Sequence, residues 1–106
     1  MQLSNTPDLP GYTITQTVDL VAGNMVQSKH IGRDIMAGLK SIIGGEVAGY
    51  TEMLVEAREQ AMARMISQAQ DKGANAIVNI RFTTSAIDTG MSELLAYGTA
   101  VVVDKN

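Results

Sequence analysis

The stretch that most limits how this chain can fold is Gly44–Lys72: a paired glycine, a third glycine at Gly49, then a run of helical spacing closed by Gly73. Tyr50, Met53, Leu54, Ala57, Ala61, Met65 and Ala69 recur every three or four residues, the period of one buried helix face. Val55, Met62 and Ile66 widen that face on one flank, so the apolar arc is broader than contact with a single sheet requires. Ala57 and Ala61 sit mid-face with no bulk beyond Cβ, which allows close approach to a partner. Glu46, Glu52, Glu56 and Glu59 lie mostly early and Arg58, Arg64 and Lys72 later, the order that the helix dipole favours. Gly73 stands where a terminal residue of positive φ is needed.

The flanking segments supply strands for that helix to cover. Tyr12, Ile14, Gln16, Val18 and Leu20 alternate with Thr13, Thr15, Thr17 and Asp19, which predicts a strand with one wetter face. The alternation breaks at Gly23-Asn24, where a bulge, bend or turn is expected before a short extension. Ile31, Ile35, Met36, Leu39, Ile42 and Ile43 return to helical spacing and predict a shorter helix, with Gly44-Gly45 as the corner into the long one near Glu46. Beyond Gly73, Ala76, Val78, Ile80 and Phe82 read as one face of a strand and Ile77, Asn79 and Arg81 as the other. A turn within Ser85–Ser92 and a strand over Leu94–Val103 complete a hairpin. Met1–Gly11 carries Pro7 and Pro10 without an apolar period and reads as an arm, leaving 12–106 as a single domain.

With 106 residues, one modest core is all the chain can bury. A net charge of −3 gives no general attraction for nucleic acid or an anionic membrane, and the absence of cysteine excludes disulfides and thiolate chemistry. No stretch approaches the ~20 apolar residues of a membrane span, so a cytoplasmic protein is expected.

The last strand bears on assembly. Leu95, Tyr97, Thr99, Val101 and Val103 oppose Leu94, Ala96, Gly98, Ala100 and Val102, so both faces are apolar. One long helix covers one side. The other needs neighbouring copies, or else the shorter helix or the Pro-containing arm; each Leu or Val left wet would forgo roughly 1.5–3 kcal/mol. The expectation is a homo-oligomer.

Several of these segments together resemble a known family. Gly38-Leu39-Lys40-Ser41-Ile42-Ile43-Gly44-Gly45, Tyr50, Ala57-Arg58-Glu59-Gln60-Ala61, Gly73-Ala74-Asn75-Ala76-Ile77-Val78 and Tyr97-Gly98-Thr99-Ala100-Val101 are similar to the YbjQ family, UPF0145, whose label names heavy-metal binding. The likeness runs from about Tyr12 to Val103. It implies an α+β subunit of β-α-β-β order, with an antiparallel sheet and one long helix as in the dodecin-like class. It also implies closed rings of five that stack into decamers, and it carries no established activity or ligand motif.

Candidate chemistry is sparse. His30 is the only histidine, and Asp34 at i+4 shares its face if that segment is helical, giving two ligands for a divalent metal that ring symmetry or Glu46, Glu52 or Glu56 would complete. Thioethers of Met25, Met36, Met53, Met62 or Met65 suit Cu(I), although Met at helical spacing is ordinarily core filler. Gly44 and Gly45 precede a helix start, where amides hold anions, but Glu46-Val47 stands in place of the Lys-Ser/Thr pair of a phosphate loop. Gly44, Gly45 and Tyr50 therefore read as a helix corner. With one His, no Cys and no serine nucleophile motif, no catalytic site is expected. Tyr50, Tyr97, Lys40 and Arg33 could line a pocket between subunits for a small ligand.

Overall fold

The computed structural model describes residues 1–28 and 48–106. Their elements in order are β1 (Gln2–Leu3), β2 (Tyr12–Ser28), α1 (Ala48–Asp71), β3 (Ala76–Asp88) and β4 (Met91–Lys105). They form one four-stranded sheet in the order β1-β3-β4-β2 with α1 against one face. The short helix expected over Ile31–Ile43 lies outside the described residues.

The expected α+β class stands, but the sheet is mixed rather than antiparallel, because β1 runs parallel to β3 while β2 and β3 both run antiparallel to β4. The cause is the segment read as an arm. The edge of β3 away from β4 offers unpaired backbone groups, and the chain start takes them. Gln2 N–H donates to the Asn75 carbonyl at 3.0 Å, Ser4 N–H to Ile77 at 2.9 Å, Asn79 N–H to Thr6 at 3.0 Å and Ile80 N–H to Ser4 at 3.1 Å.

The long helix ends as its sequence predicts. Gly73 has φ 84°, Ala74 N–H reaches back to the Ala69 carbonyl at 3.1 Å and Gly73 N–H to Gln70 at 3.0 Å, the paired bonds of a Schellman cap. Ala57, Ala61, Met65 and Ala69 are buried, whereas Leu54 stays exposed. Ala61, Met65 and Ala69 pack on Val21, Ile77, Ile80, Ala96 and Ala100, with Val18, Met25, Met62 and Ile66 at the margin.

Three strand readings are corrected. β2 does not turn at Gly23-Asn24; it pairs with β4 through Ser28, and Gly23 is the place where α1 presses on the strand, since a Cβ there would overlap the Ala61 carbonyl and the Met65 amide. Its irregularities lie earlier, between Ile14 and Gln16 and between Thr17 and Asp19; the two one-residue shifts cancel, so Leu20 returns to the face of Tyr12 and Ile14, away from the helix, where it is exposed, while Val21 faces α1 and is buried. In β3 a bulge between Val78 and Arg81, with Asn79 at φ 55°, puts Ile77 and Ile80 toward the helix and Ala76 and Val78 on the other face. The turn expected across Ser85–Ser92 contracts to Thr89-Gly90, with Gly90 at φ 75° and a register shift beside it.

The face away from the helix is partly roofed by the chain itself. Leu9 and Tyr12 pack on Ala76, Val78, Val101 and Val103. Val101 and Val103 therefore need no neighbouring copy, which corrects half of the sequence argument for assembly; Leu95 is half-buried and Tyr97 is 40% exposed.

Candidate functional site

Of the residues that sequence reasoning singled out, His30, Asp34, Gly44, Gly45 and Glu46 lie outside the described residues, as do Arg33, Lys40 and Met36. Tyr50 belongs to the first turns of α1. Glu56 accepts a hydrogen bond from Gln60 Nε2 at 3.3 Å, one turn on along the helix surface. Met65 is fully buried and Met25 and Met62 pack beside it, the core-filling role. Met25 and Met53 share a small cavity of about 180 Å³ with Gln27 and Glu56. Among the described residues no three His, Cys, Asp or Glu side chains are grouped as a metal site would require, so the described part supplies no fit for a heavy metal.

Three features of the described surface are organised. The first is a clamp of α1 on the outer edge of β2. Arg64 Nη1 donates to the Asn24 carbonyl at 2.5 Å, Ala22 N–H donates to Gln68 Oε1 at 2.8 Å, and Lys72 Nζ pairs with Asp19 at 3.0 Å. Residues 64 and 68 lie one turn apart on the helix and Lys72 follows just past its end, so two side chains satisfy backbone groups of the edge strand and a third pairs with its Asp19 carboxylate. The Lys72 hydrogen bond, aided by the Leu20 amide, holds the Asp19 carboxyl below its ordinary value of 3.8.

The second is an apolar patch on the face away from α1. Register places Leu20 opposite Thr99, Ala22 opposite Tyr97, Asn24 opposite Leu95 and Val26 opposite Glu93, so Leu20, Leu95, Tyr97 and Val26 share that face. Leu20 is 76% exposed and Val26 is 49% exposed.

The third is a trough beside the helix. Because α1 is held over β2, the helix-side residues of β3 are incompletely covered. A cavity of about 460 Å³ lined by Leu3, Ser4, Asn5, Ile80 and Arg81 adjoins another of about 290 Å³ along Arg58, Glu59, Ala63 and Ile66, with Met62 and Phe82 common to both. Sequence reasoning missed it, since it rests on the pairing of the chain start with β3. The one available signal was the broad helix flank at Met62 and Ile66.

Among the described residues, one helix laid along a mixed four-stranded sheet, with the chain start closing one edge, defines a small α+β class that a solved protein shares. That protein, of unknown function and from the DUF74 family of Pediococcus pentosaceus, superposes with a TM-score of 0.64 over 98% of each chain at 16% identity, a likeness of fold alone. The chain itself belongs to the UPF0145, or YbjQ, family: the family profile, described as "Putative heavy-metal-binding", matches residues 1–104. UPF0145 proteins of Psychromonas ingrahamii and Photobacterium profundum are 61% and 67% identical to it, over 99% and 91% of this chain and 100% and 93% of theirs. One from Dehalococcoides mccartyi is 54% identical over 98% of this chain and all of its own.

Proposed function

We propose that the protein is a cytoplasmic, non-catalytic homo-oligomer that serves as a binding or scaffold module, its copies closing into a ring, five to a ring as the family resemblance implies. The observation that carries this reading is the patch of Leu20, Val26, Leu95 and Tyr97, which neither α1 nor the chain start covers. Burial of large apolar side chains is worth roughly 1.5–3 kcal/mol each, and a contiguous patch of them on a sheet is the ordinary mark of an interface. Light scattering tests it: the wild type is expected as a multimer at micromolar concentration, and Leu20→Glu or Tyr97→Glu as a single chain with the same circular dichroism. A monomeric wild type ends the reading.

The second reading is a divalent metal held between subunits by His30 and Asp34, and it rests on the family description. Calorimetry with zinc, copper and nickel tests it, and uptake that is unchanged in His30→Ala removes it.

A further inference from the structure

We propose that the trough between the chain start and the helix flank binds a small apolar carboxylate, with its acyl chain on Leu3, Met62 and Phe82 and its head group on Arg81. The site lies within one subunit and does not depend on assembly.

The room exists because α1 is committed to β2 through Arg64, Gln68 and Lys72, leaving β3 the less covered strand on that side. The two adjoining cavities, about 460 and 290 Å³, approach or enter the roughly 300–1,000 Å³ span of ordinary small-molecule sites. Leu3 and Phe82 are 41% and 43% exposed, so apolar surface faces the space from both walls.

Arg81 sets the chemistry of the occupant. Its Nη1 donates to the Asn5 carbonyl at 2.6 Å and to the Ile80 carbonyl at 2.9 Å, and both of those residues line the same cavity. The guanidinium is thus anchored at the wall by neutral oxygens, and no carboxylate among the described residues pairs with it. Nε and Nη2 keep donors in the planar fork that matches a carboxylate. The adjoining cavity is lined by one base and one acid, Arg58 and Glu59, whereas the cavity that Arg81 lines has no acid in its walls. A neutral or cationic occupant would leave that fork unpaired. An anion with an apolar body satisfies both the fork and the floor.

Calorimetric titration with dodecanoate, kept below its micelle concentration, tests the assignment. Saturable binding is expected, weakened roughly tenfold or more in dodecanol, which lacks the charge, and by a similar factor in Arg81→Gln, the range of a lost charge-assisted pair. Since Arg81 also holds Asn5, Ala63→Glu is the companion variant: Ala63 is exposed and lines the adjoining cavity, so its replacement puts an anion beside the bound acyl chain while Arg81 and Asn5 keep their own residues. Amide exchange at Ser4 and Asn5 is expected to slow on binding, because the chain start forms one wall. Absent or non-saturable binding, equal affinity for dodecanol, or an Ala63→Glu protein that binds like wild type overturns the assignment. Light scattering on the same samples reads the assembly separately, so loss of one leaves the other standing.

Discussion

A methyl group added at Gly23 and one added at Gly73 would damage this molecule by different routes. At Gly23 the new Cβ would meet the backbone of α1 at Ala61 and Met65, atoms that cannot swing aside, so helix and strand must part. At Gly73 nothing lies within 4 Å, and only the left-handed backbone opposes the side chain. Gly73→Ala is expected to cost about 1–2 kcal/mol and Gly23→Ala about 3 kcal/mol or more, read from urea unfolding midpoints. Equal losses would mean that the helix does not bear on Gly23. Asp19 offers a pH test. Its folded-state pKa is depressed, so its contribution is complete above 3.8 and is lost as pH falls through the lower folded value; Asp19→Asn should flatten the acid side of the stability profile there, modestly because the pair is exposed. Of these positions only Gly73 was legible in advance, since a helix end calls for a left-handed residue from local sequence alone. Gly23 looked like a turn because the glycine required by a distant helix and the glycine of a bend are the same letter. Asn79 was hidden likewise, read with Ile77 and Arg81 as the second face of a regular strand.

At the scale of elements, the helix and β4 were readable because their periods continue without interruption, whereas β2 and β3 carry bulges. In β2 the shifts near Thr15 and Val18 take Gln16 and Val18 out of the simple alternation and then restore it, and Leu20 is exposed because it lies on the face that α1 does not cover. The chain start was unreadable for another reason: β1 is two residues long, and its order comes from β3 and from a local knot in which Thr6 N–H and Thr6 Oγ1 bond Ser4 Oγ at 3.0 and 2.7 Å. Leu9 carries the tertiary part of that order by covering Val101 and Val103. Leu9→Ala is expected to lose about 1–2 kcal/mol, less than a fully buried leucine because Leu9 is only half-buried, and to speed amide exchange at Gln2, Ser4 and Asn79 together. Faster exchange at Ser4 alone would mean that the segment is held by its own turn. The candidate metal pair was legible as sequence but falls outside the described residues, while the trough needs two segments that no local pattern connects.

Taken whole, the molecule is extended. Its radius of gyration is 17.0 Å against about 13 Å for an ordinary compact chain of this length, and its extents are 53 × 28 × 19 Å. The hairpin of β3 and β4 accounts for the length, since its far end, with Ile87 and Met91 exposed, runs on past the buried core. So thin a shape leaves much apolar surface wet in a lone chain, which is the physical ground of the ring proposal. If copies do assemble, the midpoint of thermal unfolding should rise with protein concentration in the wild type and be independent of it in Leu20→Glu, a comparison made by calorimetry over a hundredfold dilution.

The early-to-late embrace of the chain also has a consequence for how it is made. Gln2, Leu3 and Leu9 leave the ribosome well before Ala76–Val103, the residues that receive them, and Gly11 waits for Asn106, whose amide closes on its carbonyl at 2.9 Å. These contacts join residues about 70 to 95 positions apart, so each can close only after the later partner has been made, and closures of such separation are slow.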